Sequence, residues 1–323
     1  MSESTPIVTV LMSVYNGEDY LRESVDSILG QSYEEFEFLI VDDCSTDGTG
    51  NILHDYASSD SRVQIIKNET NKGLPYSLNI GLARAAGAFI ARQDADDLSA
   101  AHRLQMQVAL FEQRPELVAV GSWFESLDGS GTPYGWSQPT DTTPSVREQL
   151  IEGTNPLAHG SVMFRKAAVL NLGGYDERFW YGQDFDLWLR LFAKENTSAA
   201  IVPDYLYRRR KLPSSSSFKF LCQARSGVLA LQQHQAGDRI EFQDIREWVR
   251  ENHPGSEHYD PTITGKYWIL LTLTAMRHKK RSLARAYGWK AFGIPRIGTR
   301  LKGACLIALS LLPVDLLRLK RDN

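Results

Sequence analysis

The stretch AGAFIARQDADDL, residues 86–98, ends an apolar run through Phe89 and Ile90 in three carboxylates, Asp94, Asp96 and Asp97. Like charges this close raise one another's pKa and cost stability unless a cation sits among them. Oxygen ligands suit Mg²⁺ or Mn²⁺, which take one or two protein carboxylates and complete their shell with water and substrate phosphates. The pattern therefore points to a divalent cation that the chain does not itself encode, with a solvated turn as the competing reading of so short a motif. A second acidic pair, Asp42 and Asp43, closes the earlier run FEFLIVDD. No Gly-x-Gly-x-x-Gly follows the first apolar run, and no P-loop, His-Glu-x-x-His or Gly-x-Ser-x-Gly occurs, so any nucleotide is held by something other than a glycine-rich loop.

Four apolar runs must position these acids: IVTVLMSV from Ile7, FEFLIVDD from Phe36, RVQIIKN from Arg62 and AFIARQD from Ala88. Helical patterns separate them. In EDYLRESVDSILGQ, Leu21, Val25, Ile28 and Leu29 fall on one face, and Thr46 and Asp47 are the expected caps of the next helix. Strand and helix in alternation imply a mainly parallel sheet with helices on both faces, that is, an α/β fold. Ligands of such sheets bind beyond the carboxyl ends of the strands, where the polar clusters SVYNGEDY, DDCSTDGT, NETNKG and QDADDL all fall. Farther on, AHRLQMQVALFEQRPE reads as a helix, ELVAVGSWFESLDG as a strand and GQDFDLWLRLFAKE as a helix, while residues 128–145, rich in Gly, Pro, Ser and Thr, read as a long loop.

These segments together, SVYNGEDYLRESVDSILGQSYEEFEFLIVDDCSTDGT, FIARQDADDLSAAHRLQMQ, HGSVMFRKAAVLNLGGYDERF and QDFDLWLRL, resemble the family 2 glycosyltransferases of the GT-A fold over roughly residues 6–215. The resemblance implies an inverting enzyme that binds a nucleotide-diphospho-sugar across the carboxyl edge, with Mn²⁺ or Mg²⁺ bridging the diphosphate. It implies that Ser13 and Tyr15 lie at base and ribose and that Asp43 bonds the base. It makes Asp96 the metal ligand and Asp94 its ribose- or metal-facing neighbour, with Asp97 behind them. Lys72 and Arg208 would face phosphate, and Arg210 stands where the family often has histidine. Asp184 matches the general base, beside Gln183 where the family usually has Glu, and His159 lines the acceptor side with Gln183. Read without the resemblance, Asp184 is a helix N-terminal acid favoured by the dipole. Asp186 is expected to be structural, because residues two apart on a helix diverge.

The net charge of −3 conceals an asymmetry. From Thr264 to Asn323 there are 13 Lys or Arg against Asp315 and Asp322, a net of +11, which leaves −14 for the rest. A segment so basic is expected to meet an anionic surface. Gly303–Val314 is apolar but too short for the ~20 residues that span a bilayer, which favours peripheral contact of residues 300–321 with membrane lipid; no recognition motif supports nucleic acid. The expected division is a catalytic domain over 1–217, with a donor half at 1–98 and an acceptor half at 99–217, followed by a basic helical region over 218–323. Cys44, Cys222 and Cys305 show no pairing or zinc spacing, and MSESTPIVTV has no signal-peptide character. A cytoplasmic enzyme, peripheral on the inner face of the membrane, is expected. The resemblance further implies a glycan or lipid-linked glycan acceptor in surface polysaccharide assembly; the alternatives are a sugar-phosphate nucleotidyltransferase and a non-catalytic binding scaffold.

Overall fold

The four apolar runs form parallel strands β1 (Val8–Val14), β2 (Phe36–Asp42), β3 (Val63–Lys67) and β4 (Phe89–Asp94), ordered β3-β2-β1-β4. The computed structural model of the chain describes residues 7–139, 145–193, 197–212, 220–252 and 289. β2 is buried at every position and β1 at all but Ser13. Strands covered on both faces have no solvent side to pattern for, which is why they read as unbroken apolar runs. β3 is the sheet edge, and its exposed Gln64 and Ile65 mark it.

The connections are α1 (Leu21–Leu29), α2 (Thr49–Ser59) and α3 (Leu74–Arg84). α1 buries Leu21, Val25 and Ile28 against the strands, each worth about 1.5–3 kcal/mol in removed apolar surface. The expected caps of α2 are displaced: the helix begins at Thr49, after Gly48. Asp47 instead accepts the N–H of Thr49 through Oδ1 (3.0 Å) and that of Glu18 through Oδ2 (3.1 Å), and its carboxylate ties one strand-end loop to the other.

Beyond β4 come β5 (Leu98–Ser99), α4 (Arg103–Gln113), β6 (Leu117–Leu127), β7 (Pro133–Ser137), α5 (Ser145–Ile151), β8 (Met163–Arg165), α6 (Lys166–Leu170), α7 (Gln183–Leu191), β9 (Ser198–Arg210) and α8 (Phe220–Ala236). The sheet continues as β4-β8-β6-β9-β5. β8 is antiparallel to β4 and β6, and β5 to β9, so a parallel half and an antiparallel half share one sheet. Residues 128–145 are not one long loop: β7 lies within them and pairs with β6, with Tyr134 buried. β9 also escaped the sequence pattern.

Contacts divide the chain into two units, residues 1–124, 137–209 and 221–248 in one, and 125–136, 210–220 and 249–323 in the other. In the second, Asp128 Oδ1 accepts the N–H groups of Ser130 and Thr132, and Lys211 donates its N–H to Leu127 O. Arg210 is buried there, with Nη1 on Gly129 O (3.3 Å). The basic segment 300–321 lies outside the described residues.

Candidate active site

The carboxyl edge of the parallel half is built by loops that hold one another. Asn16 Oδ1 accepts the N–H of Thr46 (2.8 Å), Ser45 Oγ accepts that of Asn16 (3.0 Å), and Glu18 Oε2 accepts that of Gly48 (2.6 Å). Asn16 and Cys44 both have positive φ, 51° and 65°, a backbone conformation that non-glycine residues adopt at a cost. Asp43, almost wholly buried, organises the third loop. Its Oδ1 accepts from Asn68 Nδ2 (2.7 Å) and Lys72 N–H (2.9 Å), and its Oδ2 from Gly73 N–H (2.8 Å). Gly73 has φ 89° and the Trp180 ring against its Cα, so no side chain fits. A carboxylate accepts about four hydrogen bonds; Asp43 commits three to its own chain. Lys72 points its exposed side chain outward, with Nζ 5.9 Å from the Tyr76 ring centre. Tyr15 is exposed, and Ser13 stands in register with Asp94 on β4.

Asp94, the last residue of β4, is not left without a cation. Arg92, 1% exposed, extends Nη2 to Asp94 Oδ1 at 2.6 Å and Nη1 to the carbonyls of Leu11 (3.2 Å) and Gln93. Arg103, fully buried on α4, donates to Arg92 O, Ser99 Oγ and Gln93 Oε1 and lies 5.1 Å over the Tyr207 ring. Burial pulls its pKa down to about 10, which leaves it charged at neutral pH. The expectation that the chain encodes no partner for its acids is thus corrected for Asp94: Arg92 pairs with it, and the charge of buried Arg103 stands near Asp94 and Asp97. Arg92 was legible in part, since residues i and i+2 of a strand share a face; Arg103 comes from a separate helix.

Tyr207 on β9 receives the N–H of Asp94 on its hydroxyl (3.2 Å). Burial first, then the charges of Asp97 and Asp94, hold that phenol well above its ordinary range. Gly160 packs on the same spot; a Cβ there would meet the Tyr207 hydroxyl and stand 2.8 Å from Asp94 Oδ2. Asp96 is half-buried and Asp97 buried at the turn, and Arg208, exposed on β9, stands in register with Leu98.

α7 brings in Asp184 at its second residue, following Gln183, which is buried. Asn155 Nδ2 donates to Asp184 Oδ2 at 2.8 Å. Loss of water pushes the Asp184 carboxyl above the usual range and the Asp94 charge adds to the rise, while the amides of Phe185 and Asp184 and the Asn155 amide oppose it. The helix N-terminus therefore does not dominate this acid. Asp94 and Asp184, ninety positions apart, feel one another's charge. Asp186 turns the other way, with Oδ2 on Arg190 (2.7 and 2.9 Å) and Oδ1 on Gln233 of α8 (3.1 Å); it is structural, as expected, beside a cavity of about 720 Å³.

His159 is half-buried, with Nε2 2.8 Å from the Tyr175 hydroxyl and its ring edge-on to Tyr175 and Trp188. Burial, and then the Arg92 charge, hold its pKa well below the ordinary value, so the ring is neutral at pH 7. Tyr175, Asn155, Arg92, Arg103 and Tyr207 are the site-lining residues that the sequence reading missed. For a metal, the carboxylates of Asp94 and Asp96 have the hard oxygen chemistry that Mg²⁺ or Mn²⁺ takes. Among the described residues no group of three His, Cys, Asp or Glu stands together as a metal site.

The family model described as Glycosyl transferase family 2 matches residues 9–171. The Bacillus subtilis protein named as glycosyltransferase EpsE is 41% identical over 219 residues, 67% of this chain and 76% of that one. The chain belongs to glycosyl transferase family 2. Family membership makes it a glycosyltransferase and sets aside the nucleotidyltransferase and scaffold alternatives. This family 2 chain is also 30% identical to the O-antigen biosynthesis glycosyltransferase WbnJ of Escherichia coli over 188 residues, 57% of this chain and 71% of that one. Its fold is that of Staphylococcus aureus TarS residues 1–349, solved with UDP (TM-score 0.57, 17% identity, 94% and 89% of the two chains). It is likewise that of the Pyrobaculum calidifontis mannosyltransferase PcManGT, solved with GDP-Man and Mn²⁺ (TM-score 0.56, 20% identity, 96% and 82%). The GT-A architecture expected from the sequence is the one present.

Proposed function

We propose that this family 2 enzyme is inverting and metal-dependent, and that it moves a sugar from a nucleotide-diphospho-sugar, a UDP-sugar, to a hydroxyl of a glycan or lipid-linked glycan in surface polysaccharide assembly. The observation that carries the reading is Asp184, bonded to Asn155 at 2.8 Å and held above the usual carboxylate range by burial first, with the charge of Asp94 adding to the rise. A base of raised pKa is better matched to taking a proton from a sugar hydroxyl than a fully solvated carboxylate is. The relatives' names, which include O-antigen and teichuronic acid biosynthesis, support the polysaccharide assignment. Neighbours solved with UDP and UDP-GlcNAc support the donor class.

In this reading Ser13, Tyr15 and Asp43 receive the nucleoside, and Lys72 and Arg208 face the diphosphate. Asp96, with Asp94, holds the cation. A bound Mn²⁺ or Mg²⁺ supplies Lewis-acid stabilisation of the leaving diphosphate. Asn155 orients Asp184, whose Oδ atoms take the proton of the attacking hydroxyl as the new glycosidic bond forms on the face opposite the leaving group. A single displacement of this kind inverts the anomeric carbon. Neutral His159 and Gln183 line the acceptor side. The division into a catalytic region, 1–217, and a basic region, 218–323, belongs to the same proposal, with residues 300–321 resting on anionic lipid at the cytoplasmic face. No helix among the described residues is long and apolar enough to cross a membrane.

Calorimetric titration with UDP, with and without Mn²⁺, tests the donor site. Tight binding should require Mn²⁺ in the wild type and be lost in Asp96→Ala. Metal-independent binding indifferent to the substitution contradicts the site.

A further inference from the structure

Tyr175 buries a hydroxyl where Phe would fill nearly the same space. The residue is 3% exposed. A buried hydroxyl costs stability unless it is hydrogen-bonded, and among the described residues this one meets only His159 Nε2, at 2.8 Å. The backbone of Tyr175 is fixed as well. Asn79 of α3 accepts its N–H through Oδ1 (2.8 Å) and donates to its carbonyl through Nδ2 (2.9 Å). A Cβ on the preceding Gly174, whose φ is 77°, would stand 2.5 Å from that same Oδ1. The His159 ring lies edge-on to both Tyr175 and Trp188, with centroids 5.5 and 6.2 Å away. Phenol and imidazole are thus held in one relative geometry.

That geometry decides where the imidazole proton sits. Burial, joined by the charges of Asp184 and Asp94 against that of Arg92, holds the phenol above its ordinary range, so it keeps its proton at neutral pH. The neutral ring of His159 has one proton for two nitrogens. On Nε2 that proton would point at the phenol oxygen, and the phenol's own proton would find no acceptor among the described residues. On Nδ1 it leaves Nε2 bare to accept from the phenol, and no buried donor is stranded. A stranded buried donor is the costlier arrangement, and the hydrogen bond made at one ring nitrogen sets the state of the other.

We propose that Tyr175 is a positioning residue that fixes His159 in the Nδ1–H tautomer, so that the ring meets the acceptor sugar as a hydrogen-bond donor and leaves the taking of the proton to Asp184. The inference rests on the acceptor-side reading of His159 above and deepens it. With Nε2 occupied by the phenol, the ring offers an oxygen of the acceptor sugar one N–H and no basic nitrogen. Asp184 then receives the hydroxyl proton without competition from the histidine.

The test is long-range ¹⁵N–¹H correlation on the full chain labelled in histidine, with the His159 signals assigned as those absent from His159→Gln. In the wild type at neutral pH, Nδ1 should carry the proton and Nε2 should be a bare, hydrogen-bonded nitrogen. Tyr175→Phe keeps the ring and removes the donor. It should shift His159 toward the Nε2–H tautomer, with UDP affinity within about twofold of the wild type. With a UDP-sugar as donor and a panel of alkyl glycosides as acceptors, kcat/KM for the glycoside should fall about tenfold in Tyr175→Phe, the worth of one lost hydrogen bond, chiefly through KM. A merely structural phenol would lower thermal stability and leave tautomer and KM where they were. A wild-type spectrum with the proton on Nε2 overturns the proposal whether or not the variant folds. So does one tautomer shared by the wild type and Tyr175→Phe, or a switched tautomer with an unchanged KM. If the wild-type tautomer is as expected but His159→Gln transfers to the glycoside as well as the wild type, the acceptor-side reading of His159 fails, and the role given to Tyr175 falls with it.

Discussion

The raised pKa of Asp184 has a direct consequence for rate. A base must be ionised to act, so the acidic limb of kcat/KM should lie above the ordinary carboxylate range. Asn155 is one of the groups holding that pKa down. Asn155→Ala should shift the limb to higher pH, and a pH–rate profile that does not move would remove Asn155 as the orienting group. At this scale the sequence was half legible. Asp94 and Asp96 stood out as acids that close an apolar strand, whereas Asp184 stood out only through the family resemblance, since its position alone reads as a helix N-terminal acid. Asn155 and Tyr175 did not, because their roles come from where residues 155, 175 and 184 meet in space. His159 shows the same limit: its type and position were evident, but its bond to Tyr175 was not. Its ring, held neutral by burial and then by the Arg92 charge, predicts a stability effect. The unfolded chain takes a proton on this histidine below about pH 6.5 and the folded chain does not, so stability is lost as pH falls through that value. Each pH unit below it costs up to about 1.4 kcal/mol. Urea midpoints measured from pH 7.5 to 5.5 should fall less steeply for His159→Gln than for the wild type.

At the scale of elements, the donor edge depends on loops that hydrogen-bond to one another more than on any helix cap. Asp43 accepts the N–H groups of Lys72 and Gly73 and the Asn68 amide. Asp43→Ala leaves those donors buried without partners and should destabilise the fold by about 2–4 kcal/mol, read from urea unfolding, with weaker UDP binding because the loop before α3 is no longer held. Gly160 is the corresponding weak point on the antiparallel side. Gly160→Ala forces a methyl group into the Tyr207 hydroxyl and Asp94 Oδ2, an overpacking cost of about 1–3 kcal/mol. Donor affinity should drop more in this variant than in Ala substitutions on β8, the strand that follows. The strands of the parallel half were plain in the sequence because both their faces are buried. β7 was hidden in a Gly- and Pro-rich stretch, and β9 mixes exposed and buried positions without a strict period of two, so neither announced itself. The register of β9 with β5 sets Arg208 opposite Leu98, the residue that follows Asp97 in the chain.

At the scale of the whole molecule, the proposed lipid contact of the C-terminal segment is a statement about charge. Thirteen basic residues after Thr264 predict binding to vesicles containing anionic lipid that weakens steeply as salt rises. Sedimentation of the full chain and of a chain ending at residue 263 with such vesicles checks this; equal binding by both would assign the contact elsewhere. The larger claim is that the parallel half supplies the donor site and that α7 supplies the base, joined where the charge of Asp94 reaches Asp184. The most direct measurement is Asp184→Asn, assayed for Mn²⁺-dependent UDP-sugar binding and for transfer in the same preparation. Donor affinity within about threefold of the wild type, with transfer reduced by roughly 10²–10⁴, is the predicted result. Transfer at the wild-type rate would contradict it.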